Sequence, residues 1–179
     1  MSGFLTVGHG PLDHYALQEL LQNAAVDVVV DVRRYPNSRR NPDVRREALE
    51  RWLSAAGIDY VWDERLGGRR RLPAGAMEVD TWWTVAAFRA YAAYTRSEEF
   101  ASGLADLLAI VRAHSVVIMC SETLWWRCHR RLIADVATLA HQLPVGHLSP
   151  SGLREPHRVT AGARLGPDGL VVWDGPRDS

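Results

Sequence analysis

Seven residues with reactive or ionisable side chains crowd into twelve positions, 120–131, of the stretch VVIMCSETLWWRCHRRLIAD, residues 116–135. They are Cys120, Glu122, Arg127, Cys128, His129, Arg130 and Arg131. An apolar, β-branched run typical of a buried strand precedes them, and apolar residues at helical spacing follow. Because the N-terminal end of a helix favours anions and thiolates, a strand that delivers residues to a helix start would explain the crowding.

Cys120 is a candidate nucleophile at the expected junction of strand and helix. Its spacing to Arg127 resembles that of phosphate-binding thiol loops, in which a cysteine precedes an arginine on a loop around the anion. The interval is one residue longer than in cysteine phosphatases, and the loop holds two tryptophans and no glycine. The alternative is a buried cysteine that packs as a small hydrophobe.

Glu122 and His9 are the candidate proton carriers. Glu122 could act as a general acid or base, anchor an arginine of residues 33–46, or cap the following helix. His9 stands between two glycines at the end of the first apolar run, where little steric cover is expected. A structural role is the alternative for His9, as for most lone histidines.

Arginines dominate the loop RRYPNSRRNPDVRR, residues 33–46, which holds six of them against one acid. Guanidinium groups bind phosphate in a planar, bidentate way. Two prolines favour a defined loop that presents Arg39 and Arg40, and a solvated charged face is the alternative. Asp31 is expected to pair with an arginine such as Arg33, because an unpaired buried carboxylate is costly.

Two cysteines and a histidine raise the question of a metal site. Neighbours on one helix point about 100° apart, so Cys128 and His129 are not expected to share one ion. Cys120, Cys128 and His9 could form a partial zinc set, but no pair has the two- to four-residue spacing of closed zinc sites. We therefore predict no metal ion and no cofactor.

Two tryptophan pairs could contribute to binding. They are Trp82 with Trp83 and Trp125 with Trp126. Indole rings can stack on a base or a sugar. Packing in a core or an interface is the alternative for each of them.

Strand and helix patterns alternate along the chain. Strands are predicted at 4–8, 26–32, 58–62, 114–120, 145–149 and 169–173. Helices are predicted at 12–25, 41–58, 82–96, 97–112 and 124–143, with a long loop at 63–80. This order predicts an α/β fold in three layers, a mainly parallel sheet flanked by helices. Ligands bind beyond the carboxyl ends of such strands. Polar residues gather there: His9, Asp31, Arg33, Cys120, Glu122 and Ser149.

The composition is that of an ordinary globular protein. A chain of 179 residues suits a single domain, residues 1–179. Apolar content of 47% and zero net charge exclude disordered proteins and a global attraction to nucleic acid. All 21 basic residues are arginine. No apolar run nears the roughly 20 residues that span a bilayer, and the N-terminus lacks a signal-peptide pattern, so we expect a cytoplasmic protein without membrane contact.

Six blocks of the sequence resemble the domain-of-unknown-function family 488. In order they are TVGHG, VDVRRYPNSRRNP, GIDYVWDERLGGRR, FRAYAAY, MCSETLWWRCHRRLIAD and HLSPSGLREPHR, which extend over nearly the whole chain. The chain departs from the family at Gly10, where serine is usual, at Ser121, where alanine is common, and at Leu124-Trp125, where a pair with proline is common. The resemblance implies a compact α/β domain and no established reaction.

The resemblance also implies a set of candidate site residues. These are His9, Asp31, Arg33, Ser38, Arg39, Arg40, Gly67, Gly68, Arg69, Cys120, Glu122, Cys128, His129, Arg130, Ser149 and His157. Trp126 joins them as a stacking candidate.

The leading hypothesis is an enzyme, a hydrolase or transferase, that acts on a phosphate-bearing ligand such as a nucleotide or nucleic acid. Cys120 would be its thiolate, and Glu122 or His9 its proton carrier. The anion would be held by Arg33, Arg39, Arg40 and Arg130. One alternative is a non-catalytic nucleic-acid-binding module. Another is a thiol or redox protein that uses Cys120 and Cys128.

Overall fold

A six-stranded sheet is the centre of the computed structural model, which describes residues 3–176. Its strands are β1 (Phe4–Gly8), β2 (Val28–Asp31), β3 (Asp59–Trp62), β4 (Val116–Cys120), β5 (Val145–Leu148) and β6 (Arg154–Pro156). Their order is β3-β2-β4-β1-β5-β6, and all are parallel except β6. A separate antiparallel hairpin pairs β7 (Ala163–Leu165) with β8 (Val171–Trp173).

Five α-helices cover both faces of the sheet. They are α1 (His14–Asn23), α2 (Arg46–Ala55), α3 (Ala86–Tyr94), α4 (Glu98–Val111) and α5 (Arg130–His141). Helices α1 and α2 pack on one face, and α3, α4 and α5 on the other. The predicted three-layer α/β fold with a mainly parallel sheet is therefore confirmed. Residues 1–2 and 177–179 of the predicted domain lie outside the described residues.

Strand β4 shows how the pleat distributes side chains between the two cores. Val116, Ile118 and Cys120 join the core under α3, α4 and α5, while Val117 and Met119 join the core under α1 and α2. Successive side chains of a strand point to opposite faces, so this division follows from the sequence. Cys120 consequently faces the layer of three helices.

The carboxyl ends of the central strands lie side by side. Gly8 pairs with Cys120, and Asp31 pairs with Met119. The chain beyond the strands continues the pairing, since the N–H of His9 donates to the carbonyl of Cys120 at 2.9 Å. This register brings the ends of β1, β2 and β4 to one edge of the sheet.

Three predicted helices begin at least four residues later than their patterns indicate. The one predicted from residue 41 starts at Arg46, because Pro42–Val44 form a 3-10 turn. The last one starts at Arg130, because residues 125–127 form a short 3-10 turn and Cys128 has extended backbone angles. The helix predicted from residue 82 starts at Ala86, since the N–H of Trp82 donates to the carbonyl of Trp173. The three-residue strands β6 and β7 were not predicted.

The longest helix in the described range has 14 residues. Within residues 3–176, no helix combines the length and apolar character needed to cross a membrane.

Candidate active site

A thiol-histidine centre lies at the carboxyl end of β4. It consists of Cys120, Cys128 and His129, whose two Sγ atoms and ring nitrogen all lie within 4.8 Å of one another. The Nδ1 atom of His129 is 3.9 Å from the Sγ of Cys120 and 3.6 Å from the Sγ of Cys128. The extended backbone at Cys128 makes this convergence possible, because the chain turns before α5 begins.

The hydrogen bond on the far side of the ring settles which nitrogen of neutral His129 faces the thiols. Its Nε2 atom lies 2.9 Å from the carbonyl oxygen of Val32. A carbonyl oxygen only accepts, so Nε2 carries the hydrogen and Nδ1 presents a lone pair to the sulfurs. Gly68 leaves room for the ring, since a Cβ there would come within 3.0 Å of Nδ1.

The buried side chain of Arg130 contacts the thiol-histidine centre through the sulfur of Cys128. Its Nε donates to the Sγ of Cys128 at 3.3 Å, its Nη1 donates to the Oγ1 of Thr6 at 3.2 Å, and its Nη2 donates to the carbonyl of Glu122. The side chain is 1% exposed. No carboxylate among residues 3–176 forms an ion pair with it. A thiolate on Cys128 would supply the missing counter-charge.

The two thiols have opposite tendencies to ionise. Burial opposes ionisation of Cys128, but a hydrogen bond from the Cys120 thiol and the charge of Arg130 hold its pKa well below the usual range. The bond to Cys128, together with burial, raises the pKa of Cys120. Loss of a proton is therefore favoured at Cys128 over Cys120, with the Cys120 thiol as a neighbouring donor.

A buried chain of polar side chains, the polar chain, runs from Arg130 to Asp135 through Thr6, His147 and His157. Successive distances from Thr6 onward are 2.8, 2.9 and 2.9 Å. The carboxylate of Asp135 accepts from Nε2 of His157, so each earlier group in the chain donates to the next. Burial and the neighbouring His157 and Arg130 lower the pKa of His147 to about 3, which keeps this ring neutral.

The polar chain is covered by the ring of Trp125 and lies beside the hairpin of β7 and β8. The ring of Trp125 stacks on His147 at 3.9 Å with 4° between the planes. The second oxygen of Asp135 accepts from the indole N–H of Trp173 at 2.9 Å. His157, a predicted ligand-binding residue, has a side chain that is 1% exposed and lies outside the cavity described below.

Asp31 and Arg33 form a buried ion pair with two hydrogen bonds, of 2.8 and 2.6 Å. Their expected pairing is confirmed. Arg33 also donates from Nη1 to the Nε2 of His9 at 3.3 Å. The Nδ1 of His9 donates to the carbonyl of Gly10, and burial lowers the pKa of His9. Both ring nitrogens of His9 are thus engaged inside the protein, and Arg33 is oriented toward Asp31 rather than toward a ligand.

A cavity of about 420 Å³, the thiol cavity, opens beside the thiol-histidine centre. It is lined by Gly68, Arg69, Ala87, Phe88, Tyr91, Cys120, Ser121, Glu122, Thr123, Arg127, Cys128 and His129. The guanidinium groups of Arg69 and Arg127 are exposed at the rim. Neither forms a side-chain hydrogen bond or ion pair with another described residue, so both are free to bind an anion.

Glu122 lines the thiol cavity and does not cap the helix that follows it. Its Oε1 accepts from the N–H of Leu124 at 3.0 Å, but neither the 3-10 turn at residues 125–127 nor α5 has a side-chain cap. The side chain is exposed and lines the thiol cavity. The expectation that Glu122 caps the following helix is therefore wrong.

A second depression, the arginine groove, adjoins the thiol cavity and has a volume of about 740 Å³. It is lined by Arg34, Tyr35, Arg69, Arg70, Arg71 and Tyr94. Arg69 lines both, and its carbonyl accepts from Nη1 of Arg34 at 2.8 Å, which joins the two loops. Except for Arg69, these residues were missed by sequence reasoning, although Arg34, Arg70 and Tyr94 stand in blocks that resemble the family.

The structure does not bring Ser38, Arg39 or Arg40 to the thiol cavity. The side chain of Asn41 donates to the carbonyl of Leu12 at 2.7 Å, and the N–H of His14 donates to Asp43 at 3.0 Å. These bonds hold the loop toward α1, on the opposite face of the sheet from Cys120. Arg39 and Arg40 are exposed there and line neither the thiol cavity nor the arginine groove.

Trp126 and Ser149 also lie apart from the thiol cavity. Trp126 is 46% exposed and lines a separate depression of about 360 Å³ with Trp82 and Trp83. The hydroxyl of Ser149 bonds to the hydroxyl of Ser151 at 2.8 Å in the turn before β6.

Comparison with known proteins assigns the chain to a family. Residues 14–137 of the 179 match the family described as Domain of unknown function DUF488. The chain belongs to this family. The match includes every residue that lines the thiol cavity and excludes the blocks TVGHG and HLSPSGLREPHR. No curated protein and no solved structure matches the chain significantly.

In this DUF488 protein, one group of His, Cys, Asp or Glu side chains in the range 3–176 is arranged to share a metal ion. It is the set of Cys120, Cys128 and His129. The expected divergence of Cys128 and His129 is wrong, because both residues precede the first turn of α5. His9 lies instead with Arg33.

The polar chain adds residues that sequence reasoning missed. They are Thr6, Asp135 and His147. Each stands within a block that resembles the family, which was the available signal. Their partners come from distant parts of the chain, so spacing alone could not connect them.

Proposed function

We propose that the protein is an enzyme that acts on a phosphate-bearing ligand, such as a nucleotide or a nucleic-acid segment, in the thiol cavity. Free arginines at the rim would hold the phosphate, and the thiol-histidine centre would react with the ligand. The reaction class would be hydrolysis or group transfer.

One observation carries this proposal. The thiol-histidine centre opens onto the same cavity whose rim holds the unpaired guanidinium groups of Arg69 and Arg127. Anion-binding groups and reactive groups therefore face one bound molecule. Ionisable residues that converge on a cavity at the carboxyl edge of a parallel sheet favour a functional site.

The surroundings of the two sulfurs support a reactive thiolate. Arg130 donates directly to Cys128, and the lone pair of His129 Nδ1 faces both sulfurs. A cysteine beside a cation and a histidine is the arrangement in which thiols act as nucleophiles. Glu122 lines the cavity as a group that could carry a proton.

The proposal is tested by removing the two rim charges. The variant Arg69→Gln/Arg127→Gln should bind a short single-stranded oligonucleotide at least about 10-fold more weakly than the wild type, with a salt slope lower by about 0.7 for each lost phosphate contact. The control is Arg112→Gln, because Arg112 is exposed just after α4, at the opposite edge of the sheet. Equal binding by the double variant and the wild type would refute the proposal.

The arginine groove favours a second candidate function, a non-catalytic nucleic-acid-binding module. Its four arginines suit a phosphate backbone, and Tyr35 and Tyr94 suit base stacking. Alkylation by iodoacetamide, in the presence of a chelator, separates the two candidates. A ligand that enters the thiol cavity protects Cys120 and Cys128, whereas a ligand confined to the groove leaves their alkylation rates unchanged.

A thiol or redox protein is the third candidate, and the closeness of the two sulfurs favours it. It requires that mild oxidation join Cys120 and Cys128 in a disulfide without loss of the fold. Mass spectrometry of the oxidised, unreduced protein would detect that bond.

A further inference from the structure

The thiol-histidine centre has the composition of a binding site for a soft divalent cation. We propose that Cys120, Cys128 and His129 bind one Zn²⁺ ion through their two Sγ atoms and Nδ1, with a fourth position open to the thiol cavity. Thiolate sulfur and imidazole nitrogen are the ligands that zinc prefers. The inference shares its location with the proposed function but does not depend on the phosphate-bearing ligand.

The two distances from Nδ1 of His129 to the sulfurs are close to those around a tetrahedral zinc ion. With Zn–S of about 2.3 Å and Zn–N of about 2.0–2.1 Å, a sulfur and a nitrogen ligand lie about 3.6 Å apart. The Nδ1 atom of His129 is 3.6 Å from the Sγ of Cys128 and 3.9 Å from the Sγ of Cys120. A shift of about 0.3 Å at Cys120 would satisfy the nitrogen–sulfur distances, and the two sulfurs, which lie within 4.8 Å of each other, would close to about 3.8 Å.

His129 is already oriented as a zinc ligand. Metal-binding histidines usually donate their other ring N–H to a carbonyl or carboxylate, which fixes the tautomer. His129 makes that bond to Val32 at 2.9 Å, so Nδ1 is free to bind without rotation of the ring.

Arg130 gives the two sulfurs a suitable partner on the side away from the cavity. Its Nε–H donates to the Sγ of Cys128 at 3.3 Å. Donors to sulfur stabilise thiolates, the form in which cysteine binds metal. Thr6 and the Glu122 carbonyl hold the other guanidinium nitrogens, so Arg130 cannot turn away from the sulfur.

Three protein ligands beside a cavity are typical of catalytic rather than structural zinc. The ion and two thiolates would sum to zero charge, and Arg130 would leave the centre positive. An anion from the cavity is therefore the favoured fourth ligand. If the proposed function holds, that anion is an oxygen of the phosphate-bearing ligand or a hydroxide that attacks it.

In the zinc-bound state the sulfurs are ligands, and the reactive group is the species at the fourth position. In the zinc-free state the two buried cysteines line the thiol cavity, through which a reagent would reach their sulfurs. Zinc binding therefore changes what a thiol reagent can reach. This difference provides a measurement that requires no knowledge of the substrate.

The test uses chelator-treated full-length protein titrated with Zn²⁺ alone. We expect one ion per chain by elemental analysis and simultaneous protection of Cys120 and Cys128 from iodoacetamide. Replacement of Zn²⁺ by Co²⁺ should give the sulfur-to-cobalt charge-transfer absorption of a thiolate complex. Absence of stoichiometric zinc, or bound zinc that leaves both thiols open to alkylation, would overturn the inference.

Variants identify the ligands. Cys128→Ser and His129→Gln should each weaken zinc binding by more than the roughly 10- to 100-fold typical of losing an outer partner. The matched control His114→Gln replaces an exposed histidine outside the centre and should bind zinc like the wild type. Far-UV circular dichroism checks that each variant is folded. If a variant is unfolded, the cobalt spectrum of the wild type tests whether the thiolates bind the metal. Zinc affinity retained in folded Cys128→Ser would refute the ligand assignment.

Failure of this inference can be told from failure of the proposed function. The oligonucleotide experiment is done in chelator and reports on Arg69 and Arg127. A protein that binds oligonucleotide but no zinc would retain the proposed function and lose only the metal.

Discussion

Arg130 donates a hydrogen bond to the sulfur of Cys128 at 3.3 Å and another to the hydroxyl of Thr6 at 3.2 Å. These two contacts join the thiol-histidine centre to the polar chain that ends at Asp135. Each group in the polar chain donates a hydrogen bond to the next group toward Asp135. A substitution at one member therefore disturbs the orientation of its neighbour. The position of the guanidinium beside the thiolate is thus set from several strands and helices at once.

Thr6→Val tests the link between Arg130 and His147. Valine has nearly the same shape but leaves Nη1 of Arg130 and Nδ1 of His147 without their partner, so we expect a loss of about 1–3 kcal/mol in the free energy of unfolding for each unpaired buried group. Urea denaturation followed by circular dichroism measures it. Thr84→Val, at an exposed position, should change stability by less than about 0.5 kcal/mol. Equal stability of the two variants would contradict a role for the hydroxyl.

The neutral state of His147 gives stability a defined dependence on pH. Its pKa is lowered from 6.5 to about 3, so between these values the unfolded chain binds a proton that the folded protein does not. The free energy of unfolding should therefore fall as the pH decreases from about 6.5 toward 3, by up to about 1.4 kcal/mol per pH unit from this residue. Urea titrations at several pH values in that window measure the slope.

The comparison variant for the pH experiment is His147→Gln. It should show a shallower slope than the wild type, whatever its absolute stability. His114→Gln should keep the wild-type slope. A slope unchanged by His147→Gln would show that His147 is protonated at mildly acidic pH in the folded protein.

Arg33→Met tests the buried ion pair with Asp31. The variant leaves a carboxylate that is 0% exposed without its cation, so we expect a loss of about 3–5 kcal/mol in the free energy of unfolding. Arg164→Met breaks the exposed pair with Asp174 and should cost less than about 1 kcal/mol. Thermal and urea unfolding of both variants decide the matter, and similar losses would contradict the assignment.

Gly68→Ala tests the space left for the ring of His129. The added methyl group would lie 3.0 Å from Nδ1, while Nε2 is held by Val32 on the other side. We expect the ring to be displaced from the sulfurs and the alkylation rates of Cys120 and Cys128 to change, at a stability cost of about 1–3 kcal/mol. Mass spectrometry follows the rates. Unchanged rates would show that the position of the ring does not govern thiol reactivity.

The sequence predicted the fold better than it predicted the site. The apolar β-branched runs and helical spacing are local signals, and the five helices and every strand except β6 and β7 follow from them. Cys120 and Glu122 were predicted because strand ends mark the carboxyl edge of a parallel sheet, whereas Arg69 was predicted through the resemblance to the family. These signals depend only on neighbours in the chain.

The rest of the site depends on contacts that local patterns do not encode. Cys128 and His129 fall within a helical pattern, yet one extended residue redirects both side chains toward Cys120. Arg39 and Arg40 share a loop with Arg34, but hydrogen bonds from Asn41 to Leu12 and from His14 to Asp43 hold their part of the loop on the other face. The spacing of residues in the sequence alone does not predict on which face of the sheet this part of the loop lies.

Strand β6 has a consequence for how copies of this protein meet. It forms one edge of the sheet with three exposed residues and ends at Pro156, which has no N–H to donate. A short edge that ends in proline is a poor template for another strand. Intermolecular β-sheet extension, a common route to aggregation, is thereby discouraged on this side of the protein.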